Sequence, residues 1–289
     1  CRPHHLKTRY LSIHLHDRAS LTRVARSRKS SLIHEVFAKQ HPGCVLVDQQ
    51  SIGRTSRSNP ATWLAISDPI RKEFAAAVSA PPARFSFNSK GVCPECKGQG
   101  FLRIDMNFMD DVRVECPACQ GLRYTPEALA PRHRGKNIAD VLDMTAREAA
   151  DFFAHRDVRR KLALLERVGL GYLHLGQSLS TLSGGECQRL KLALELSRQG
   201  RLFILDEPTT GLHPADVDVL MRILDDLVDH GNSVVVIEHN LDVMLRADWI
   251  LDLGPEGGAA GGRLVAAGTP EQIAQHPTSH TARHLRPLL

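Results

Sequence analysis

Two pairs of cysteines stand at the spacing that proteins use to hold a tetrahedral metal ion. Each pair is a C-x₂-C motif, and 19 residues separate the two pairs. Each pair can donate two thiolates from one turn, which completes a four-sulfur zinc site without an open catalytic position. Disulfide pairing is the alternative, but we expect a reducing cytoplasm. The predicted Zn²⁺ ligands are Cys93, Cys96, Cys116 and Cys119.

Two acidic residues, Asp206 and Glu207, directly follow the apolar run Leu202–Leu205, which is predicted to be a strand. In an open α/β sheet, ligands bind beyond the carboxyl ends of the strands. Asp206 is therefore predicted to hold the shell of a Mg²⁺ ion, and Glu207 to orient or deprotonate an attacking water. A simple turn or helix cap is the alternative for an acid pair taken alone.

The residues around the acid pair favour a nucleotide site. Upstream, the segment LSGGE forms a predicted capping box at the start of a helix. Its two glycines leave the backbone N–H groups of the helix N-terminus accessible, so this segment can bind a γ-phosphate. Downstream, His239 follows the predicted strand Ser233–Ile237 and can donate a hydrogen bond to the same phosphate. In this order, LSGGE, LDEP and the histidine form the motif set of ABC ATPases. The predicted phosphate-gripping residues are Ser183, Gly184, Gly185 and Glu186.

That resemblance implies roles for two earlier segments. Gln49, after the predicted strand at residues 44–47, falls where the family places a Mg²⁺-sensing glutamine. Lys29 and Ser30 stand where the phosphate-binding lysine and the Mg²⁺-binding hydroxyl belong. ABC sites are shared between two halves, so the LSGGE segment is expected to serve a different ATP site from Lys29. The predicted catalytic residues are Glu207, His239 and Gln49.

The phosphate loop itself departs from the ABC pattern. Arginine occupies both of the motif's glycine positions and a third position that is often glycine. Phosphate binding needs a glycine backbone that can close around the ligand, so these substitutions should impair it. We therefore predict weak or absent ATP binding at this loop, so that ATP hydrolysis at this half's own loop is doubtful. A basic surface turn is the alternative interpretation. The three substituted positions are Arg23, Arg26 and Arg28.

These motifs need a scaffold of alternating elements. From Ser183 onward the pattern is helix, strand, helix, strand, helix, strand, which predicts an α/β fold with a parallel sheet covered by helices. We expect a nucleotide-binding core at residues 1–62 and 201–289, and a helical signature domain at 63–200 with a zinc module at about 88–124. The chain begins with Cys1, so we expect a longer protein.

Composition narrows the function classes. The hydrophobic fraction of 42% supports a sizeable core. No apolar run of about 18 residues or more occurs, which argues against a membrane span. The net charge of +5 is concentrated in residues 1–40, which hold nine basic and two acidic residues, so global charge is weak support for nucleic-acid binding.

Longer segments resemble the UvrA family of DNA-damage sensors. The resemblance covers nearly the whole chain and implies the C-terminal nucleotide-binding half, which uses ATP, Mg²⁺ and Zn²⁺. It also implies a cytoplasmic protein that contacts damaged double-stranded DNA, the other nucleotide-binding half and a second UvrA-like subunit, with UvrB reached only through the other half. Arg54, Arg57 and Lys97 become candidate DNA contacts. The segments that carry the resemblance are Asp48–Thr62, Arg84–Asn88, Gly135–Thr145, Glu238–Asp242 and Gly254–Gly258.

Three interpretations stay open. The first is an ATP-dependent damage-recognition subunit of nucleotide excision repair, and a short stretch between Asn59 and Cys93 hints at a paralogue branch associated with drug resistance. The second is a non-catalytic DNA-binding module derived from UvrA, which the arginine-substituted loop suggests. The third is the ATPase of a transporter or translation factor, which shares LSGGE and LDEP but lacks a four-cysteine insertion.

Overall fold

The computed structural model describes residues 18–22, 41–48, 57–104, 112–196, 200–254 and 263–289, with the backbone alone for 18–22. They form two compact units, one within Cys1–Gln50 and Gly184–Leu289 and the other within Ser51–Ser183. The limits predicted from the sequence, a nucleotide-binding core at 1–62 and 201–289 and a signature domain at 63–200, divide the chain by function, and they stay a prediction. The described strands are β1 (Arg18–Thr22), β2 (Val45–Val47), β3 (Phe101–Ile104), β4 (Val112–Glu115), β5 (Leu202–Asp206), β6 (Ser233–Glu238), β7 (Trp249–Gly254) and β8 (Arg263–Gly268).

Helices of four to sixteen residues separate these strands. None of the helices in the described parts of the chain is both long and apolar enough to cross a bilayer. The α-helices are α1 (Pro60–Trp63), α2 (Ser67–Ala77), α3 (Pro126–Leu129), α4 (Ile138–Asp143), α5 (Ala146–Phe152), α6 (Arg156–Arg167), α7 (Gly184–Glu195), α8 (Pro214–Asp229), α9 (Leu241–Leu245), α10 (Pro270–Ala274) and α11 (His280–Leu285).

The first unit is built on a six-stranded sheet in the order β2-β5-β6-β1-β7-β8. The pairings from β2 to β7 are parallel, which confirms the predicted parallel α/β sheet. Strand β8 pairs antiparallel with β7 and ends the sheet at that edge. All six residues of β6 are buried, as expected for a central strand covered on both faces. The sheet therefore gathers the carboxyl ends of β5, β6 and β1 at one edge.

Strand β1 was missed by the sequence analysis. Its sequence, RASLT, lacks the apolar run that marks a buried strand. Its backbone nevertheless pairs with β6 on one side and β7 on the other. Because β1 ends at Thr22, the arginine-substituted segment follows the carboxyl end of an inner strand, which is the position that a phosphate loop requires.

The second unit is mainly helical, and four of its described helices, α1, α3, α4 and α5, begin at side-chain caps. Thr145 and Glu148 form a capping box at the start of α5. Two further capping boxes, at Asn59 and Asn137, begin α1 and α4. Such caps satisfy backbone N–H groups that a helix leaves without a partner in its first turn. The only sheet described in this unit is the antiparallel hairpin of β3 and β4.

Candidate nucleotide site and metal centre

The four predicted zinc ligands form one compact cluster. Their Sγ atoms all lie within 4.8 Å of one another. The Sγ atoms of Cys93 and Cys116 are 3.9 Å apart, and those of Cys96 and Cys119 are 3.6 Å apart. A disulfide would need about 2.05 Å. A tetrahedral ion at about 2.3 Å from each sulfur places the sulfurs about 3.8 Å apart, so the donor set fits zinc.

Two turns of similar sequence, CPECKGQG and CPACQGLR, carry the cysteine pairs. In the first turn the backbone N–H of Gly100 donates to the Sγ of Cys96 at 3.3 Å. In the second, the N–H of Arg123 donates to the Sγ of Cys119 at 3.4 Å. These donors stabilise thiolate charge, so each turn supplies both metal ligands and part of their electrostatic support.

Left-handed backbone conformations allow both turns to close. Gly98 has a φ of +80° and Gly121 a φ of +75° at matching positions. At the next matching position the first turn has Gly100 at +83°, and the second has Arg123 at +72°. The repeat is therefore geometric as well as sequential, except that the second turn uses a non-glycine residue at some cost in backbone strain.

Burial and backbone hydrogen bonds shift the pKa of the cluster thiols in opposite directions. All four cysteines are buried. Burial raises the pKa of the Cys93 and Cys119 thiols. For Cys96, burial also raises the pKa, but the N–H of Gly100 and the neighbouring sulfurs outweigh it, and the pKa falls to about 7. A positive ion is the natural partner for such a buried set, because it binds the deprotonated form.

The acid pair lies at the carboxyl edge of the sheet in the other unit. Asp206 ends β5 and pairs in register with Ile237 of β6. Glu207 follows with a φ of +46°, a strained value for a non-glycine residue of the kind that clusters at functional sites. Its Oε1 lies 4.0 Å from Nδ1 of His239, and the two side chains are 50% and 60% exposed. The predicted water-orienting and phosphate-binding residues thus lie side by side and open to solvent.

Glu238, for which no role was predicted from the sequence, ends β6 directly before His239. Its side chain is fully buried and accepts hydrogen bonds from both the segment after Glu207 and the segment that begins at His239. A polar residue at the end of a strand is ordinary in a sequence. Its burial depends on tertiary packing, so no signal in the sequence distinguishes it.

The signature segment begins helix α7 at Gly184. A Cβ at Gly185 would lie 2.2 Å from Cδ2 of Leu212, which explains why a residue without a side chain stands there. Further along the helix, Nζ of Lys191 donates to the backbone oxygen of Asp48 at 2.9 Å. Ser183 belongs to the second unit and Gly184 to the first.

The structure describes only some of the remaining residues that were predicted to belong to a site. Lys29, Ser30, Gln49 and the three arginines of the loop lie outside the described residues, as does Arg54. Of the candidate DNA contacts, Arg57 donates to the backbone oxygen of Lys97 at 2.7 Å, so these two residues do lie together. Cys44 and Cys187 lie outside the four-cysteine cluster.

The chain is similar to known proteins in sequence and in structure. Residues 102–210 match the family described as "ABC transporter". "UvrABC system protein A" of Aquifex aeolicus is 49% identical over 100% of this chain and 35% of that protein. The Mesorhizobium japonicum protein of the same name is 56% identical over 84% of this chain and 26% of its own length. The crystal structure of UvrA2 from Deinococcus radiodurans is similar with a TM-score of 0.89 and 46% identity, covering 95% of this chain and 37% of that one.

Proposed function

Since the chain belongs to the UvrA family and spans about a third of its curated relatives, we propose that it is the C-terminal nucleotide-binding half of an ATP-dependent sensor of damaged duplex DNA. The observation that carries this proposal is the extent of the similarity, which spans the whole chain and so covers the segments that hold the four-cysteine cluster and the ABC motifs. A transporter ATPase shares those motifs, but the matched relatives bear the name of a UvrABC protein. The expected link to a drug-resistance paralogue stays a prediction.

The nucleotide chemistry is assigned to the carboxyl edge of the sheet. A bound Mg²⁺ would neutralise charge on the ATP phosphates, and Asp206 would hold its hydration shell. Glu207 orients the attacking water and accepts its proton, while His239 donates to the γ-phosphate. The separation of 4.0 Å between their side chains supports this division, because both can reach one phosphate group. Gln49, Lys29 and Ser30 complete the proposed site from the sequence pattern.

Zinc is assigned a structural role. Four buried thiols fill a tetrahedral site and leave no position for a substrate or water. The metal would therefore stabilise the turns that carry it and the hairpin of β3 and β4 that rises between them. Lys97 lies in the first cysteine turn, and Arg57 donates to its backbone oxygen, so both are proposed to contact DNA phosphates.

The proposed partners follow from the family. They are damaged double-stranded DNA, the other nucleotide-binding half and a second UvrA-like subunit. Ser183, Gly184, Gly185 and Glu186 would contact the ATP held by an opposing half, and UvrB would be reached through the other half. The proposed location is the cytoplasm.

Damage-selective binding tests the proposal. The full chain is titrated with a duplex that carries one bulky adduct and with the same duplex unmodified, with and without Mg-ATP. We expect tighter binding to the adduct duplex and a change in that preference with Mg-ATP. Arg57→Ala should weaken binding to both duplexes, whereas Arg222→Ala, at an exposed position on helix α8, serves as the matched control. Equal affinity for both duplexes in every nucleotide state contradicts the proposal.

A second candidate function is a DNA-binding module without ATPase activity. Arginine at residues 23, 26 and 28 favours it, because these side chains add positive charge while removing the glycine backbone that encloses phosphate. Damage-selective binding that is identical with and without Mg-ATP would support this second function over the first.

A further inference from the structure

Glu238 is a carboxylate buried at the centre of the proposed nucleotide edge. It ends β6, which lies between β5 and β1 in the sheet. It pairs in register with Thr22, the residue that precedes the predicted phosphate loop. Its exposed fraction is 0%, although it stands beside two residues whose side chains are half exposed or more. A carboxylate in such a place is costly unless nearby donors compensate it.

The donors come from two different segments. Oε1 of Glu238 accepts from the backbone N–H of Thr209 at 2.8 Å and from the Thr209 hydroxyl at 2.6 Å. Oε2 accepts from the backbone N–H groups of His239 at 2.8 Å and Asn240 at 3.1 Å. One carboxylate therefore joins the segment after β5 to the segment after β6.

These two segments carry the residues assigned to ATP hydrolysis. Thr209 lies two residues after Glu207, and the backbone oxygen of Glu207 accepts from the N–H of Thr210 at 3.1 Å. His239 follows Glu238 directly. Because the side chains of Glu207 and His239 are largely exposed, packing alone does not fix their separation. The backbone on either side of them does, and Glu238 bonds to both.

We propose that Glu238 is a positioning residue that holds Glu207 and His239 at a fixed separation for the attack on the γ-phosphate. It touches neither ATP nor the attacking water, and acts through the backbone N–H groups of Thr209, His239 and Asn240 and through the Thr209 hydroxyl. This inference rests on the proposed ATPase function. It adds that a carboxylate, rather than any polar group of the same shape, is required at residue 238.

The substitution Glu238→Gln tests this requirement. Glutamine keeps the shape, but its NH₂ group must face either the Thr209 N–H or the two N–H groups of His239 and Asn240, so at least one bond is lost. Asp252→Asn is the matched control, since Asp252 is also a buried acid of this sheet but accepts from Ser279 and Thr281 near the C-terminus. The full chain is used, both natural and with Arg23→Gly, Arg26→Gly and Arg28→Gly, because the natural loop is predicted to bind ATP weakly.

Two readouts separate positioning from general stability. In the glycine-restored chain, Glu238→Gln should lower kcat by about tenfold or more while KM for ATP changes less than about threefold. Added to Glu207→Gln, it should cause little further loss, because it acts through that residue. In either chain, amide hydrogen exchange should accelerate at Thr209, His239 and Asn240 and stay unchanged along β5 and β6. Asp252→Asn should leave kcat within about threefold.

Each contrary outcome has one meaning. Unchanged exchange at these three amides overturns the positioning role, whatever the turnover. Accelerated exchange throughout β5 and β6 also overturns it, since Glu238 then serves general packing. Accelerated local exchange with an unchanged kcat shows that the bond does not serve the reaction. If the glycine-restored chain shows no Mg-ATP turnover, the ATPase proposal fails separately, and the exchange measurement alone decides whether Glu238 holds the two segments.

Discussion

Nζ of Lys191 donates to the backbone oxygen of Asp48 at 2.9 Å and pairs with the carboxylate of the same residue. Lys191 lies on helix α7, which begins with the signature glycines, and Asp48 directly precedes Gln49. Both side chains are partly exposed, at 21% and 36%. One amino group thus joins the helix assigned to one ATP site to the segment assigned to another.

Replacing Lys191 with methionine should destabilise the first unit. Methionine keeps the apolar stem but removes the charged donor, so we expect the free energy of unfolding to fall by about 1 kcal/mol, the range for a partly exposed charged hydrogen bond. Urea unfolding followed by circular dichroism measures the change. Asp48→Asn should cost less, because both oxygen acceptors remain. An equal loss in the two variants would show that the charge pair, and not the bond to the backbone, carries the effect.

Removing one cluster thiol should remove the metal. We expect Cys116→Ser to reduce bound zinc from about one ion per chain to nearly none, because three thiolates leave a tetrahedral site open. Metal content after dialysis, measured by mass spectrometry, gives the result. Cys44→Ser is the control, since Cys44 lies outside the cluster. Zinc retained by Cys116→Ser, or lost from Cys44→Ser, would contradict the assignment.

The two matching glycines of the metal turns should respond differently to alanine. A Cβ at Gly98 would lie 2.1 Å from the backbone oxygen of Phe87, whereas a Cβ at Gly121 would meet nothing closer than 3.6 Å. Both have positive φ, so Gly121→Ala should cost about 1 kcal/mol. Gly98→Ala adds a backbone clash and should cost about 1–3 kcal/mol more.

Thermal unfolding of the zinc-loaded chain, together with the chelator concentration that removes half of the zinc, measures this difference. Gly98→Ala should release zinc at a clearly lower chelator concentration than Gly121→Ala. Equal sensitivity would mean that the segment around Phe87 moves freely away from the first turn.

Restoring glycine to the phosphate loop should restore nucleotide binding. With Arg23→Gly, Arg26→Gly and Arg28→Gly together, we expect ATP affinity to rise by about tenfold or more, since arginine at a single left-handed position costs about 1–2 kcal/mol. Isothermal titration with Mg-ATP measures the affinity. Adding Lys29→Ala to the restored loop should remove the gain. Micromolar ATP binding by the natural loop would show that the arginines are tolerated.

The sequence predicted elements well where short motifs combine with apolar runs. The strands before Glu207 and His239 and the helix that begins in the LSGGE segment are all present, because each depends on local pattern. Strand β1 was missed because RASLT gains its place from two neighbouring strands and not from its own composition. The antiparallel direction of β8 against β7 was not predicted, since the direction of a strand depends on its partner in the fold and not on its own sequence.

The site shows the same limit. Cysteine spacing was sufficient to predict that the four cysteines come together, because two C-x₂-C turns at this separation have few other uses. The role of Glu238 was not predictable, since its partners Thr209, His239 and Asn240 become neighbours only when β5 and β6 pair. Local sequence identifies the residues that bind a ligand. The residues that support them are distant in the chain and become neighbours only when the sheet forms.

The division of the first unit into two stretches of chain has a consequence for synthesis on the ribosome. Val45 pairs with Phe203, and Arg18 pairs with Val234, so each early strand is made long before its neighbour. At about 5–20 residues per second, the delay is roughly 8–40 s. During that time the second unit can fold by itself. The backbone N–H and C=O groups of β1 and β2 still lack their partner strands, so they can pair with strands of other chains.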